Sequence, residues 1–315
     1  MQAYLARRIL EALPTVLVIS LLVFFLHRFL PGDILDQLAG ELGGADADLE
    51  RVKALLGLDK PAHVAYWEWL TGLLTGNLGL SLLSRTPISG EIMWRWPVTV
   101  ELTVVAMVFT IVLGIPIGIV AALRQESWVD YLLRSVAVMG LSLPTFWVGV
   151  MAVSLPAIYL GWLPRQDYVA LNAEPLKNLS IMVLPAFILA IHYVARIARM
   201  ARGTLLEVLR QDYIRTAWAK GLRERVVVTR HALRNALNPV VTLLGLEFIN
   251  LLAGTVVIER IFDLPGIGNY TLQALNFRDY PTVQSIIFLY ALVVIGGTLV
   301  IDLSYRWLDP RVKYD

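Results

Sequence analysis

The chain has 315 residues, of which 57% are hydrophobic and only 17% are charged. A soluble domain is about 25% charged, so the apolar excess must face lipid and indicates an integral membrane protein. The formal net charge of +2 is too small to suggest nucleic-acid binding, and the lack of cysteine excludes disulfides, thiolate metal sites and a cysteine nucleophile.

Six apolar runs are each long enough to cross about 30 Å of hydrocarbon, which takes roughly 20 residues of helix. They lie near residues 9–30, 98–123, 135–160, 179–198, 239–259 and 283–305. The first run has no small-residue cleavage site after it, so we expect a retained span rather than a signal peptide. The sequence therefore predicts an all-α, polytopic membrane protein with six transmembrane helices.

The distribution of basic residues predicts the orientation, because Lys and Arg resist translocation. They concentrate near both termini, between the second and third spans, and in the segment 199–238. Residues 31–97 instead carry nine acidic and five basic side chains. We therefore expect both termini and 199–238 in the cytoplasm, and 31–97 as an extracytoplasmic insertion.

The insertion has the pattern of a small helical cap. Asp46 or Asp48 can cap a helix that ends at Gly57, and Pro61 can open a second helix. The second helix would carry the aromatic residues Tyr66, Trp67 and Trp69. We favour headgroup-level packing for these rings over direct substrate contact. In the later outer loop 260–282, the segment LPGIGNY predicts tight turns.

The segment 199–238 is the most polar part of the chain between two spans. Helical spacing of leucines is seen over 203–210, and Asp212 can cap a second short helix that runs through Ala219 and ends at Gly221. Tyr213 and Trp218 on this helix, surrounded by basic residues, could fill a groove on another protein. The alternative is an amphipathic helix lying on anionic lipid.

Few polar residues lie within the predicted spans, where each is costly. Glu247 could face a pore, although pairing with a neighbouring helix is favoured, and His192 is expected to pack within the bundle. Glu101 and Asp302 lie near span ends and can reach headgroups or water. Pro116 and Pro144, each near glycines, can kink their helices either for gating or for ordinary packing.

Other classes of protein are less well supported. A stand-alone secondary transporter should carry several intramembrane acids or interrupted helices, and the sequence offers little of this. The patterns H-E-x-x-H and G-x-S-x-G are absent, which argues against a membrane enzyme. The phosphate-loop pattern G-x-x-x-x-G-K-[ST] is also absent, so any ATPase must be another chain.

Several motifs carry a resemblance to a known family. RTAWAKG at 215–221, followed after nine residues by HAL at 231–233, resembles the EAA loop of ATP-binding-cassette (ABC) importer permeases. Arg215, Thr216 and Arg234 depart from the general pattern, but DYIRTAWAKGL and HALRNALNPVV are similar to the peptide-importer subgroup. Further matching segments are LPGD, GLDKP, GNLGLS, GIPIGIVAA, SLPTFW, GWLP and FDLPGIGNY. The chain thus resembles a dipeptide or oligopeptide importer inner-membrane permease of the first-permease type.

The resemblance implies a type I ABC-importer permease fold and a bacterial inner-membrane location. Its domains would be a first span at 1–30, the insertion at 31–97 and a five-helix core at 98–315. The implied ATPase-coupling residues are Asp212, Tyr213, Arg215, Thr216, Ala217, Trp218, Lys220, Gly221 and His231. Glu247 and Asn250 are candidates for the translocation path.

The resemblance also implies the partners and the cargo. These are a homologous second permease, two ATP-binding subunits that hold ATP and Mg, and an extracytoplasmic substrate-binding protein. The chain itself would bind no cofactor and catalyse no reaction. Di- or oligopeptides are the expected cargo, with nickel complexes or glutathione as alternatives within the family and a stand-alone secondary transporter as the alternative class.

Overall fold

A computed structural model describes residues 2–29, 59–164 and 167–308. The regular secondary structure of the described parts is helical apart from one isolated bridge between Leu80 and Pro87. The helices are α1 Gln2–Phe29, α2 Ala62–Leu74, α3 Ile88–Leu123, α4 Trp128–Ser142, α5 Thr145–Leu160, α6 Pro175–Leu209, α7 Asp212–Ala219, α8 Asn238–Ile261, α9 Ile267–Asn276 and α10 Tyr280–Leu308. The all-α prediction is confirmed for these residues, and the predicted helix from Asp46 or Asp48 to Gly57 lies outside them.

The described helices confirm membrane spans but not the number six. Helices α3, α6, α8 and the Tyr280–Ile301 part of α10 are each long and apolar enough to cross a bilayer. The pair α4 and α5 gives a fifth span if the two helices are counted together. In α1 the apolar stretch among described residues is the shorter Leu10–Phe25, so the first span stays a prediction.

The third predicted span, 135–160, is not one helix. Helices α4 and α5 meet at a bend of 94°. Leu143 at the junction is extended, with φ −84° and ψ 126°, as expected for a residue that precedes proline. Pro144 lacks an amide hydrogen and is the residue immediately before α5. By contrast, α3 runs through Pro116 as a single helix.

Two further sequence predictions need correction. The fourth predicted span and the helical stretch after it form one helix, α6, of 35 residues. At about 1.5 Å per residue, this helix is about 50 Å long and extends well beyond the hydrocarbon. The segment LPGIGNY was predicted to form tight turns, but only its residues up to Gly266 lie outside a helix. Helix α9 begins at Ile267, and Gly268 is buried in its first turn.

One compact unit comprises the described residues of 1–97 together with 266–299. Gln284 of α10 donates hydrogen bonds to the backbone oxygens of Val23 and Phe24 in α1. Before α10, the buried Asp279 accepts hydrogen bonds from Ser81 Oγ at 2.5 Å, Leu82 N at 3.0 Å and Thr282 Oγ1 at 2.8 Å. The loop after α2 is therefore tied to the start of α10.

The aromatic residues of α2 divide between packing and exposure. Tyr66 lies 5.4 Å from the Phe24 ring, and its hydroxyl is 2.7 Å from Ser20 Oγ in α1. Trp69 lies 5.8 Å from the Phe288 ring of α10. Trp67 is exposed. Tyr66 and Trp69 thus pack within this unit.

The second compact unit comprises residues 98–265 and 300–315. Its main buried cluster is formed by α3, α6 and α8, with α5 packed against them. Gly118 allows α3 to approach α6 closely: a Cβ at this position would lie 2.5 Å from the backbone oxygen of Ala198 and 2.7 Å from Cβ of Ala201. The crossing of these two helices therefore requires a residue without a side chain.

We expect Gly118→Ala to lower the free energy of unfolding by about 1–3 kcal/mol, because the backbone of α6 must shift to admit the methyl group. The measurement is the thermal unfolding midpoint of the purified chain in detergent. Gly90→Ala is the control, since this glycine is also in α3 and no atom lies within 4 Å of the added Cβ. Equal midpoints for the two variants would contradict the close-packing argument.

Candidate functional site: the short helix α7 and a buried ion pair

Helix α7 is held by its apolar side. Ile214 is fully buried and Ala217 is 7% exposed. They belong to one buried cluster with Leu205 of α6 and with Val227 and Ala232 of the segment that follows. Burying an isoleucine side chain contributes roughly 1.5–3 kcal/mol. An eight-residue helix is marginal alone, so this packing fixes α7 in place.

The rest of the α7 surface is exposed. Tyr213 and Trp218 are 43% and 44% exposed, and the described residues place no buried cluster over them. The sequence predicted that Tyr213 and Ala217, and likewise Ile214 and Trp218, lie four residues apart along the helix. In the structure each of these pairs joins one buried and one exposed residue, so Tyr213 and Trp218 lie at the two edges of the packed side of α7.

The two ends of α7 are only partly as predicted. The residue before the helix is Gln211, which makes no side-chain capping hydrogen bond, so the prediction that Asp212 caps the helix is wrong. Asp212 lies in the first turn, where a carboxylate is favoured by the helix dipole, and pairs with Arg215 at 3.3 Å. Gly221 follows the helix with φ +74°, a left-handed conformation that favours glycine.

The segment after α7 folds back and contacts α7. It comprises Glu224–Val226, a π-helical turn Val227–Ala232 and Leu233–Ala236. Asn235 Nδ2 donates a hydrogen bond of 2.8 Å to the Tyr213 hydroxyl. π-Helical turns are rare and are often found at functional sites. The two halves of the EAA-like sequence are therefore joined in space as well as along the chain.

The structure places the nine predicted coupling residues in one region. Seven of them are exposed, Ala217 is buried in the cluster, and His231 is half-buried in the π-helical turn. The exposed residues are Asp212, Tyr213, Arg215, Thr216, Trp218, Lys220 and Gly221. We call the side chains of Tyr213, Arg215, Trp218 and Lys220 the coupling surface.

Glu247 takes part in an ion pair between two helices. It is fully buried on α8, and Arg196 Nη1 of α6 lies 3.1 Å from its Oε1 and donates a 3.3 Å hydrogen bond to its Oε2. Asn250 Nδ2 donates a second hydrogen bond of 3.1 Å to Oε2. Oε1 accepts no hydrogen bond from the described residues, so charge alone holds that oxygen. The preferred sequence interpretation of Glu247, pairing with a neighbouring helix, agrees with this geometry.

A cavity lies one turn before Arg196 along α6, beside the break between α4 and α5. Its volume is about 490 Å³. His192 and Tyr193 line one wall, Gly254 of α8 lines another, and Leu143 and Phe146 come from the break. The sequence analysis did not identify Tyr193 or Arg196, because nothing along the chain links them to α8; only the helix crossing does.

Glu101 has a different partner from the one expected. Tyr168, in the loop between α5 and α6, donates a 3.0 Å hydrogen bond from its hydroxyl to Oε2 of Glu101. Burial, together with the adjacent carboxylate, raises the pKa of Tyr168. Glu101 therefore contacts protein instead of the predicted headgroups or water.

The comparisons with known proteins agree with this architecture. Residues 114–314 match the family of binding-protein-dependent transport system inner-membrane components, and residues 1–103 match the amino-terminal part of such components. The dipeptide transport system permease DppB of Alkalihalophilus pseudofirmus is 40% identical over 339 aligned residues that cover 100% of both chains. The glutathione transport system permease GsiC of Pectobacterium atrosepticum is 39% identical over 311 residues, 99% of each chain.

Solved structures show the same fold at low identity. An inward-facing structure of the MetNI methionine ABC transporter has a TM-score of 0.57 and 17% identity, covering 70% of this chain and 96% of the matched chain. An amino acid ABC transporter has a TM-score of 0.54 and 15% identity, covering 70% and 94%. The fold is therefore shared with chains of these two ABC transporters.

The helical fold and the matched segments define the class of protein as an integral membrane permease subunit of an ATP-driven importer. Within that class, the chain belongs to the family of binding-protein-dependent transport system inner-membrane components. Its relatives are peptide, dipeptide and glutathione permeases, in agreement with the resemblance seen in the sequence.

The ion pair between α6 and α8 predicts non-additive effects of mutation. Arg196→Met and Glu247→Leu should each destabilise the protein, since each leaves a charge without its partner. The double variant should lose less free energy of unfolding than the two single variants lose together, by about 0.5–3 kcal/mol. Thermal unfolding of all four proteins measures this coupling. Arg210→Met with Glu247→Leu is the control pair. Because Arg210 lies at the end of α6, the effects of these two substitutions on the free energy of unfolding should be additive.

Proposed function

We propose that the chain is the first of two different permeases in a peptide importer that also contains two ATP-binding subunits and an extracytoplasmic receptor. The relatives named for dipeptide, peptide and glutathione transport support a peptide cargo. The ATP and Mg would be held by the partner subunits. The observation that carries the proposal is the coupling surface, with two exposed aromatic side chains on a helix whose apolar side is packed against the rest of the protein.

The coupling surface has the properties of a docking site for another protein. Tyr213 and Trp218 offer aromatic area, and Arg215 and Lys220 form a polar rim, which is how interfaces concentrate binding energy. Ile214 is buried in the cluster that includes Leu205 of α6. A displacement of α7 by an ATP-binding subunit would therefore be passed to α6, and along α6 into the membrane.

The translocation path would lie beside Glu247 and Asn250. In this proposal, the terminal ammonium and carboxylate of a passing peptide compete for Glu247 and Arg196 respectively. The support is the half-exposed Arg196, whose side chain is 39% accessible although its partner is fully buried. The nearby cavity of about 490 Å³ is large enough for an amino-acid side chain.

The orientation proposed from the basic residues places α7 in the cytoplasm and α2 outside. The exposed cationic side chains at Arg215, Lys220, Arg223 and Arg225 support a cytoplasmic location for the segment 199–238. Such an orientation is required if an ATP-binding subunit is to reach the coupling surface.

We expect Trp218→Ala to reduce ATP-dependent uptake by at least about tenfold, corresponding to about 1.4 kcal/mol of lost binding free energy at the interface. Uptake by proteoliposomes that contain the whole complex, and recovery of the ATP-binding subunit on co-purification, are the two readouts. The unfolding midpoint should not change, because Trp218 is not in the buried cluster. Trp67→Ala is the matched control, as this tryptophan is also exposed but lies on α2. Normal uptake and normal co-purification of Trp218→Ala would refute the coupling role of α7.

The orientation can be tested without background, since the chain has no cysteine. Leu74→Cys at the end of α2 and Arg215→Cys on α7 both replace well-exposed side chains. In intact spheroplasts a membrane-impermeant maleimide should label Leu74→Cys, whereas Arg215→Cys should be labelled only after permeabilisation. Labelling of Arg215→Cys in intact spheroplasts would overturn the proposed topology.

A further inference from the structure

A second cavity opens between α3, α4 and α6, on the side of the bundle where α3 ends and α4 begins. Its volume is about 350 Å³. Three guanidinium groups line it: Arg134 from α4 and Arg199 and Arg202 from α6. The remaining lining is apolar, from Ile117 and Ala121 of α3 and from Leu133, Ala137, Val138 and Leu141 of α4. We call this cavity the basic pocket.

Only one of the three arginines that line the basic pocket is paired with a carboxylate among the described residues. Arg202 is neutralised by Asp130, since its Nε and Nη2 donate hydrogen bonds of 2.8 and 2.7 Å to the two carboxylate oxygens. Asp130 is fully buried and also accepts a hydrogen bond from the backbone nitrogen of Glu126. Among the described residues, neither Arg134 nor Arg199 makes an ion pair. Both side chains are exposed, so their positive charges are accessible to an anion.

The first turns of α4 indicate where the basic pocket lies in the bilayer. Trp128 and Tyr131 are exposed, and Arg134 lies 5.9 Å over the Tyr131 ring. These residues are three apart, so they share one side of the helix. Exposed tryptophan and tyrosine beside arginine are typical of the headgroup level of a membrane. The arginines are therefore at headgroup depth.

The apolar wall continues from that level into the bilayer. Along α4, Leu133, Ala137 and Leu141 follow one another toward the break with α5, and they line the same pocket. Gly118 of α3 also lines it, at the point where α3 and α6 cross closely. The shape thus combines a cationic mouth with an apolar floor that leads toward hydrocarbon.

We propose that the basic pocket binds an anionic phospholipid, with its phosphate between Arg134 and Arg199 and an acyl chain along Leu133, Ala137 and Leu141. Basic pockets between transmembrane helices on the cytoplasmic side are the sites that anionic headgroups prefer. A soluble phosphate compound would leave the apolar wall empty, and a neutral lipid would offer the two guanidinium groups no anionic partner. The leaflet rests on the orientation proposed above, but binding itself does not depend on it.

Native mass spectrometry of the purified full chain tests the site directly. With dioleoylphosphatidylglycerol as the probe, we expect a bound lipid that dioleoylphosphatidylcholine does not replace. The double variant Arg134→Gln/Arg199→Gln should bind about 30-fold more weakly, the loss expected when two basic residues near an anionic headgroup are removed. Arg210→Gln/Arg225→Gln is the matched control, since it removes the same charge from exposed positions outside the pocket and should bind normally.

Further experiments distinguish a bound lipid from other possible occupants of the basic pocket. Ala137→Leu adds bulk to the apolar wall and narrows the basic pocket without changing its charge. This variant should bind the lipid more weakly, while its unfolding midpoint should stay close to that of the parent. Glycerol 3-phosphate at the same concentration should not bind. Equal binding by the parent and Arg134→Gln/Arg199→Gln, equal binding of glycerol 3-phosphate, or loss of the lipid when the second permease assembles would each overturn the proposal. These results are independent of uptake, so they are distinguishable from failure of the peptide-importer function.

Discussion

The structure depends most on one constraint, the continuity of α6 from the membrane to the segment that carries α7. This helix has 35 residues without a break, although Pro185 lies inside it. Arg196 pairs with α8, Arg202 pairs with α4, and Leu205 lies in the cluster that holds α7. Because these contacts are on one helix, the coupling surface and the intramembrane polar groups cannot move independently.

The buried polar contacts determine which helices move together. Asp130 and Glu247 are both fully buried, and each is paired with an arginine of α6. Separating such a pair would leave a buried charge unbalanced, at a cost of about 3–5 kcal/mol. Conformational changes that keep α4, α6 and α8 together are therefore favoured. The 94° break between α4 and α5 offers a place where the chain can bend without breaking either pair.

Two arginines of α6, Arg199 and Arg202, have different surroundings although both can pair with an anion. Arg202 is neutralised by a bidentate carboxylate and fixes the position of α4. Arg199, one turn earlier, has no such partner among the described residues and lines the basic pocket. Arginine is suited both to pairing with a carboxylate and to the proposed binding of a phosphate, since its planar group binds the two anions in a similar way. The surroundings of each arginine, and not its identity, separate the structural role of Arg202 from the binding role proposed for Arg199.

The sequence by itself determined the membrane class, the positions of the main helices, the family and the location of α7, because these follow from local hydropathy, from glycine and proline, and from motifs that are contiguous in the chain. Helix α7 was predicted over the residues where it forms, and Gly221 ends it with a positive φ. Asp212 was wrongly predicted as its cap, since capping depends on backbone angles that composition does not fix.

Only the tertiary structure decided the partners of the polar groups. Glu247 with Arg196, Asp130 with Arg202, and Glu101 with Tyr168 are separated by 51, 72 and 67 residues in the chain. The break at Pro144 and the continuous α3 through Pro116 were likewise not distinguishable from the sequence, where both were candidate kinks. The physical reason is that pairing and bending depend on which helices cross and how closely, as at Gly118, and helix crossings join residues that no local pattern connects.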